Sequence, residues 1–277
     1  MTVTQYRICR TILTPALINR ISALTKIFSA LLMLSLTAAC AATVVNTQAE
    51  VPARHSMSEF KDQRFAEIAD PWEEFNLSMY RFNFYFDKYL LLPVVNSYEF
   101  VTPTFLQDRI SGVFNNLGEV RNLTNSLFQL KGTESATTLG RFVTNSTLGL
   151  AGMFDPATRF GLERHDEDFG KTLGYWGTGS GPYLVLPIYG PSSLRDTGGL
   201  AVDTGIRYGI YAAVDPFGST DDSYLISAGI STMEVIDARH QQNFRYFDSG
   251  YPFEYYMVRF FFHEKRDIES GKHLPAD

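Results

Sequence analysis

Cysteine is almost missing from this chain: Cys9 and Cys40 are the two in 277 residues. Charge is sparse as well, at 19% of residues, and the basic share is the smaller one, 24 Lys and Arg against 30 Asp and Glu. A net charge of −6 offers no electrostatic footprint for nucleic acid or for anionic headgroups. After Cys40 no uninterrupted apolar run approaches the ~20 residues that carry a helix across a bilayer; the richest are Tyr89-Leu90-Leu91-Leu92 and Phe260-Phe261-Phe262. Catalytic signatures are also lacking. Ser180 in Gly177-Thr178-Gly179-Ser180-Gly181 has the wrong spacing for a nucleophile elbow, and that cluster lacks the terminal Gly-Lys-Ser/Thr of a phosphate loop. His165-Asp166-Glu167-Asp168 lacks the helical His-Glu-x-x-His spacing of a zinc site and reads as a solvated loop; His263-Glu264-Lys265-Arg266 reads as a charged helix face. The expectation is a protein that is not an enzyme, with no catalytic residues, no metal and no cofactor.

What is present begins at Cys40. It closes the apolar run Ile27 to Ala39, which follows a segment carrying Arg7, Arg10, Arg20 and Lys26 and no acid. That is the layout of a bacterial secretory signal peptide. Small residues, Thr37-Ala38-Ala39, directly precede the thiol. A cysteine at that point is what a lipoprotein-processing system acylates and then exposes as the new N-terminus. Thr37 stands where such boxes usually carry Leu, and an ordinary signal peptide cut at a nearby small residue is the competing reading. Removing 1–39 leaves 238 residues, enough for one sizeable domain. The leader takes four basic residues and no acid with it, so the remaining chain carries a formal charge of −10 and a single cysteine. Membrane contact then has to come from acyl chains on Cys40 and from apolar surface. Ala41 follows the cysteine in place of the Asp that commonly retains lipoproteins at the inner membrane, so delivery to the outer membrane is expected.

Residues 40–69 read as a lipidated tether and 70–270 as the folded body, with 271–277 a tail. Asp70 is placed to cap a helix with Pro71 at its first turn and Glu73 as a capping-box acid. Trp72, Phe75, Met79, Phe82, Phe86 and Leu90 recur at spacings of three and four, one continuous apolar stripe. Tyr80, Phe84, Tyr85 and Tyr89 add aromatics to the other faces. Such a helix is either wholly buried, or has one face on protein and another on lipid. Pro93 is expected to end it. A second helix starts near Pro103-Thr104, with Leu106, Ile110, Val113 and Leu117 in phase, a break around Asn115, Asn116 and Gly118, and a continuation through Val120, Leu123, Leu127 and Leu130. Thr133 is a candidate cap for a third, through Leu139, Phe142, Val143 and Leu150, closed by Gly149 and Gly152. Over 155–199 the density of Gly and Pro forbids a long helix and favours a compact loop or hairpin with apolar side chains. Helices are expected again over 193–213, over 222–247 from Asp221 or Asp222, and over 252–269 from Pro252. The adjacent pair Arg195-Asp196, beside many aromatics, reads as the charged start of a helix, with a buried ion pair or a headgroup contact as the alternatives.

Several of these segments together resemble the MlaA/VacJ outer-membrane lipoproteins of Gram-negative bacteria. Asp70-Pro71-Trp72-Glu73-Glu74-Phe75-Asn76, Met79-Tyr80 and Phe82-Asn83 are similar to that family's opening pattern. Arg141-Phe142, Asn145-Ser146-Thr147-Leu148-Gly149 and Phe154-Asp155 resemble its centre. Its most distinctive stretch is matched by Phe169-Gly170, Thr172 to Gly177, Gly181-Pro182-Tyr183, Leu186-Pro187, Gly190 and Leu194-Arg195-Asp196. Pro252 and Met257-Val258-Arg259 look like its last helix; Tyr251-Pro252-Phe253 departs from the usual Asp-Pro-Tyr. The resemblance implies an all-α, ring-like arrangement of helices lying in the inner leaflet of the outer membrane, with a Gly/Pro-rich apolar hairpin and an amphipathic channel. It implies removal of mislocalised phospholipid from the outer leaflet, a soluble periplasmic lipid carrier and a trimeric porin as partners, and no bond broken. The residues expected to line or gate the channel are Asn83, Phe84, Tyr175, Trp176, Gly181, Tyr183, Arg195 and Asp196. Rival readings are a membrane-bound phospholipid hydrolase and a structural porin-associated lipoprotein.

Overall fold

The computed structural model describes residues 68–214 and 223–270. The leader, Cys40, the tether up to residue 67, the candidate caps Asp221 and Asp222 and the tail 271–277 lie outside the described residues.

The described chain is all-α apart from one small hairpin. Helix α1 (Glu73–Phe86) continues through a π-helical turn at Asp87–Leu91 into α2 (Leu92–Val101). Pro93 therefore does not end the helix. It sits in the first turn of α2, just after the widened turn, where the Leu92 N–H bonds the Asp87 carbonyl five residues back. A wider turn accommodates a residue that lacks an N–H and crowds the carbonyl four residues behind it. Helix α3 (Thr104–Phe128) starts where Pro103-Thr104 places it and α4 (Gly132–Thr147) packs along it. Thr133 is not the cap of α4, whose N-cap is Lys131. Two short helices, α5 (Pro156–Arg159) and α6 (Phe169–Tyr175), lie in the Gly/Pro-rich region. The expected hairpin follows: β1 (Tyr183–Leu186) pairs antiparallel with β2 (Gly190–Ser193), Tyr183 opposite Ser193. Helices α7 (Leu194–Val214), α8 (Ser223–His240) and α9 (Glu254–Glu269) complete the body. Helix α8 stops at His240, short of the expected 247, and the released segment brings Tyr246 and Phe247 against Tyr80 at ring separations of 4.9 and 5.3 Å.

The apolar stripes point outward. On α1 and the π-helical turn after it, Phe75, Phe82 and Leu90 are exposed, whereas Asn76, Tyr80, Asn83, Phe84 and Asp87 are buried. Along α3 and the two residues after it, none of the eight stripe residues from Leu106 to Leu130 is buried; Gln107, Asn116, Glu119, Asn122, Asn125 and Ser126 are. On α4 the buried residues are Ser135, Thr138, Arg141 and Asn145, while Leu139 and Val143 are exposed. Among the described residues, buried polar and charged side chains outnumber buried apolar ones. The expected break at Asn115, Asn116 and Gly118 does not occur for the same reason. Asn116, a residue that favours helix ends in water, is here on the interior face of a continuous helix, donating to Ser146 Oγ at 2.9 Å, and Asn125 on the same face donates to Asp203 at 2.9 Å. Of the two readings of the first helix, the structure excludes the wholly buried one. A conventional apolar core exists at one end, where Tyr80, Tyr183, Val185, Tyr255 and Tyr256 cluster between α1, the hairpin and α9.

Candidate functional site

The hairpin is held by amide side chains of α1, one at β1 and one where β1 runs into the turn. Asn76 Nδ2 donates to the Tyr183 carbonyl at 3.1 Å and its Oδ1 accepts from the Val185 N–H at 2.8 Å. Two helical turns on, Asn83 Nδ2 donates to the Leu186 carbonyl at 2.9 Å and its Oδ1 accepts from the Ile188 N–H at 2.7 Å. Each asparagine imitates the donor and acceptor pair of a neighbouring strand, so backbone groups that an edge strand leaves unpaired are satisfied. Asp70 does not cap α1. The N-cap is Trp72, with no side-chain bond. Asp70 instead accepts from Asn76 Nδ2, from the Tyr255 hydroxyl and from Arg259 at 2.7, 2.5 and 2.9 Å. Glu73 likewise turns away from a capping box and accepts from the Tyr256 hydroxyl at 2.8 Å. These bonds tie α1 to α9 across the base of the hairpin.

A buried ionic layer lies beside it. Arg266 of α9 makes two bonds to Asp168, at 2.7 and 2.8 Å, and bonds Asp196 at 2.9 Å. Asp196 also accepts from Arg195 Nε at 3.0 Å. Arg195 and Asp196 are therefore a buried ion pair, not an exposed charged helix start, and Arg195 Nη1 and Nη2 have no hydrogen-bond partner among the described residues. Burial alone would raise the Asp168 carboxyl. The hydrogen bonds and charge of Arg266 outweigh it and hold the group down at about 2. Burial pushes the Asp196 carboxyl up in the same way, and the hydrogen bonds and charge of Arg266 and Arg195 overcome it, so the group lies below its ordinary value. Close packing makes the layer possible: a Cβ on Gly199 of α7 would lie 2.3 Å from the Gly170 nitrogen of α6. The segment His165-Asp166-Glu167-Asp168 is thus only partly the solvated loop expected of it. Asp166 is exposed on Arg121, whereas Glu167 is buried against Gln129 and Lys131, both at 2.8 Å. Arg266 likewise departs from an exposed helix face.

Asp87 in the π-helical turn receives both arms of Arg239, at 2.6 and 2.7 Å. Glu119 of α3 and Asp155 at the start of α5 both accept from Arg141 of α4, at 2.9 and 3.1 Å. This last network floors a cleft of about 700 Å³ between α3, α4 and the loop carrying α5.

The residues expected from sequence to form one channel site do not converge. Asn83, Phe84 and Tyr183 are buried at the α1–hairpin–α9 end, with Phe84 packed on Phe247 at 5.1 Å. Gly181 enters the hairpin with φ +69. Arg195 and Asp196 lie in the ionic layer. Tyr175 and Trp176 are about half exposed, and Trp176 Nε1 donates to the Phe128 carbonyl at 3.1 Å. Asn76, Asp70, Arg141, Arg239 and Arg266 escaped sequence reasoning as site residues. For Asn76 and Arg141 the available signal was their place opposite the apolar stripes of α1 and α4. No cluster of metal-ligating side chains occurs among the described residues, nor is any helix among them long and apolar enough to cross a membrane.

Comparison with known proteins gives the arrangement its family. The family model described as MlaA lipoprotein matches residues 68–269. An uncharacterized protein of Rickettsia typhi is 35% identical over 130 residues, 47% of this chain and 52% of its own length. The intermembrane phospholipid transport system lipoprotein MlaA of Escherichia coli K12 is 34% identical over 177 residues, 62% of this chain and 66% of its own. The matched part of the chain thus spans about half the length of the rickettsial relatives. A solved chain, from work on the structural basis for maintenance of bacterial outer membrane lipid asymmetry, superposes with a TM-score of 0.55 at 31% identity, over 73% of this chain and 99% of that one. An inverted helical body, a hairpin pinned by asparagines and a family match over nearly all the described residues lead to one conclusion: the chain belongs to the MlaA lipoprotein family.

Proposed function

We propose that this protein is an outer-membrane lipoprotein that takes mislocalised phospholipid from the outer leaflet and passes it through an amphipathic path to a soluble periplasmic carrier, maintaining lipid asymmetry. The observation that carries the reading is the inversion of the helices. Phe100 is 92% exposed, Leu130 89% and Val101 74%, while Glu119, Arg141 and Asn145 are inside. Each such ring or branched chain moved from water into acyl chains gains about 1.5–3 kcal/mol, so a handful outweighs the acidic body's indifference to anionic headgroups. A helical body whose backbone bonds are closed internally suits that solvent. In this reading the helices form a ring within the inner leaflet. Residues 174–190 gate the path, Asn83 and Phe84 set the helix against which they move, and Gly181 and Tyr183 form the hairpin's base. Arg195 and Asp196 fix the helix that leaves it, and Tyr175 and Trp176 meet the lipid interface. Acyl chains on Cys40 deliver and orient the body, and a trimeric porin is its membrane partner. Transfer breaks no bond and needs no catalytic grouping or cofactor.

Deletion of the gene should raise outer-leaflet phospholipid and sensitivity to detergent with chelator. Unchanged surface phospholipid in the deletion strain would sink the proposal. Incubation of the purified protein with labelled phospholipid separates it from a hydrolase: transfer leaves the lipid intact, hydrolysis releases fatty acid.

A further inference from the structure

The cleft of about 700 Å³ has a floor and a rim of different electrostatic character. The floor is neutralised from within. Arg141 spends its N–H groups on Glu119, Thr158, the Leu162 carbonyl and Asp155. Burial works to raise the Asp155 carboxyl, but bonds from Thr158, Asn145 and Arg141 hold it at about 2, so it stays committed to them.

The rim is not neutralised. Arg159 and Arg164 line it, are exposed, and have no ion pair among the described residues. Arg109 lines it too, stacked 4.5 Å from the Phe154 ring centre with Nη1 on the Met153 carbonyl and no acid. Asp108 is the sole rim acid without an arginine of its own. Three guanidiniums facing one carboxylate make a local positive field on a chain that is acidic as a whole. A second, independent feature lies inside. Asn116 is 5% exposed and lines the cleft; its Nδ2 is given to Ser146, and its Oδ1 is buried with no partner. A buried acceptor left without a donor points to a group that is bound there. The lip, finally, is apolar: Leu148, Met153 and Phe154 are exposed beside the arginines.

A positive rim, an acceptor in the floor and an apolar lip describe an amphiphile with an anionic head that also carries a hydrogen-bond donor. We propose that this cleft binds a phospholipid headgroup, with Arg159 and Arg164 on the phosphate and Asn116 Oδ1 accepting from an amine or hydroxyl of the headgroup. The donor requirement makes ethanolamine and glycerol headgroups preferred over choline, whose nitrogen bears no hydrogen. The proposal rests on the reading of the protein as a phospholipid carrier.

The test uses the full-length acylated protein, wild type and Arg159→Glu/Arg164→Glu, extracted from membranes of equal parts phosphatidylethanolamine, phosphatidylglycerol and phosphatidylcholine, with retained lipid counted by native mass spectrometry. Both arginines are exposed and unpaired, so the fold should survive; Arg159→Gln/Arg164→Gln gives a graded control. Two charge-assisted contacts predict about tenfold or greater loss of retained lipid in the Glu variant and a smaller loss in the Gln variant. The wild type should retain the ethanolamine and glycerol lipids several-fold over the choline lipid, and millimolar inorganic phosphate should leave them bound. Equal retention by wild type and Glu variant would overturn the proposal and leave the carrier reading intact. Equal retention of the choline lipid would overturn the role of Asn116, and phosphate adducts without lipid would make the cleft a free-phosphate site. No phospholipid on any form would count against the carrier reading itself.

Discussion

Asn76 and Asn83 make the same pair of bonds to the hairpin, yet their loss should not cost the same. Truncation to Ala strands one N–H and one C=O of the hairpin in each case. A stranded backbone group costs about 1–3 kcal/mol when water cannot reach it, and much less when it can. Asn76 serves Tyr183 and Val185, which are 1% and 0% exposed, and it also bonds Asp70. Asn83 serves Leu186 and Ile188, the latter half exposed at the hairpin tip. The arithmetic gives roughly 2–5 kcal/mol for Asn76→Ala and roughly 1–2 kcal/mol for Asn83→Ala. Denaturant melting of the purified protein reads the total, and hydrogen exchange of the hairpin amides localises it. Asn76→Ala should speed exchange at Val185 and lower global stability. Asn83→Ala should speed exchange at Ile188 with little global change. Equal costs, or a harmless Asn76→Ala, would refute the idea that α1 serves as the outer strand of the hairpin.

Other consequences follow from the ionic layer and the anchor. Arg266→Gln leaves Asp168 and Asp196 without their shared partner and should cost about 3–5 kcal/mol by chemical denaturation, with partial recovery when Asp168→Asn is added. Asp168 is held at about 2 in the folded protein against an ordinary 3.8, so its carboxylate contributes on the order of 2 kcal/mol at neutral pH. That contribution is complete above the unfolded value and disappears as pH falls from ~4 through about 2; urea midpoints across this range should drop in the wild type and flatten in Arg266→Gln. Under the proposed function the body itself holds to lipid, so Cys40→Ser protein that is still exported should stay largely with membranes in fractionation, and full release into the soluble fraction would assign all the holding to acyl chains.

The positions of most helices were legible in the sequence, because Pro103-Thr104, the Gly/Pro cluster and Pro252 are local punctuation. The side each helix presents was not. A period of 3.6 reveals that Phe75, Phe82 and Leu90 share a face, but the same period fits a core face and a lipid face equally. Pro93 misled because a π-helical turn absorbs it, and the buried Asp87 in that turn has its partner in Arg239, 152 residues away. Asn115, Asn116 and Gly118 read as a break because asparagine propensity is measured in water, whereas here Asn116 faces a polar interior. The charge pairs were illegible for a similar reason. Arg195 and Asp196 are adjacent in sequence, yet their burial depends on Arg266, seventy positions on.

The central claim is that the apolar exterior of this fold faces lipid, and spin labels at Phe100, Leu130 and Leu148 on protein reconstituted in bilayers test it most directly. The account predicts strong relaxation by oxygen, which concentrates in acyl chains, and weak relaxation by a water-soluble nickel chelate at all three sites. The opposite ranking at all three sites would place those faces in water and contradict it.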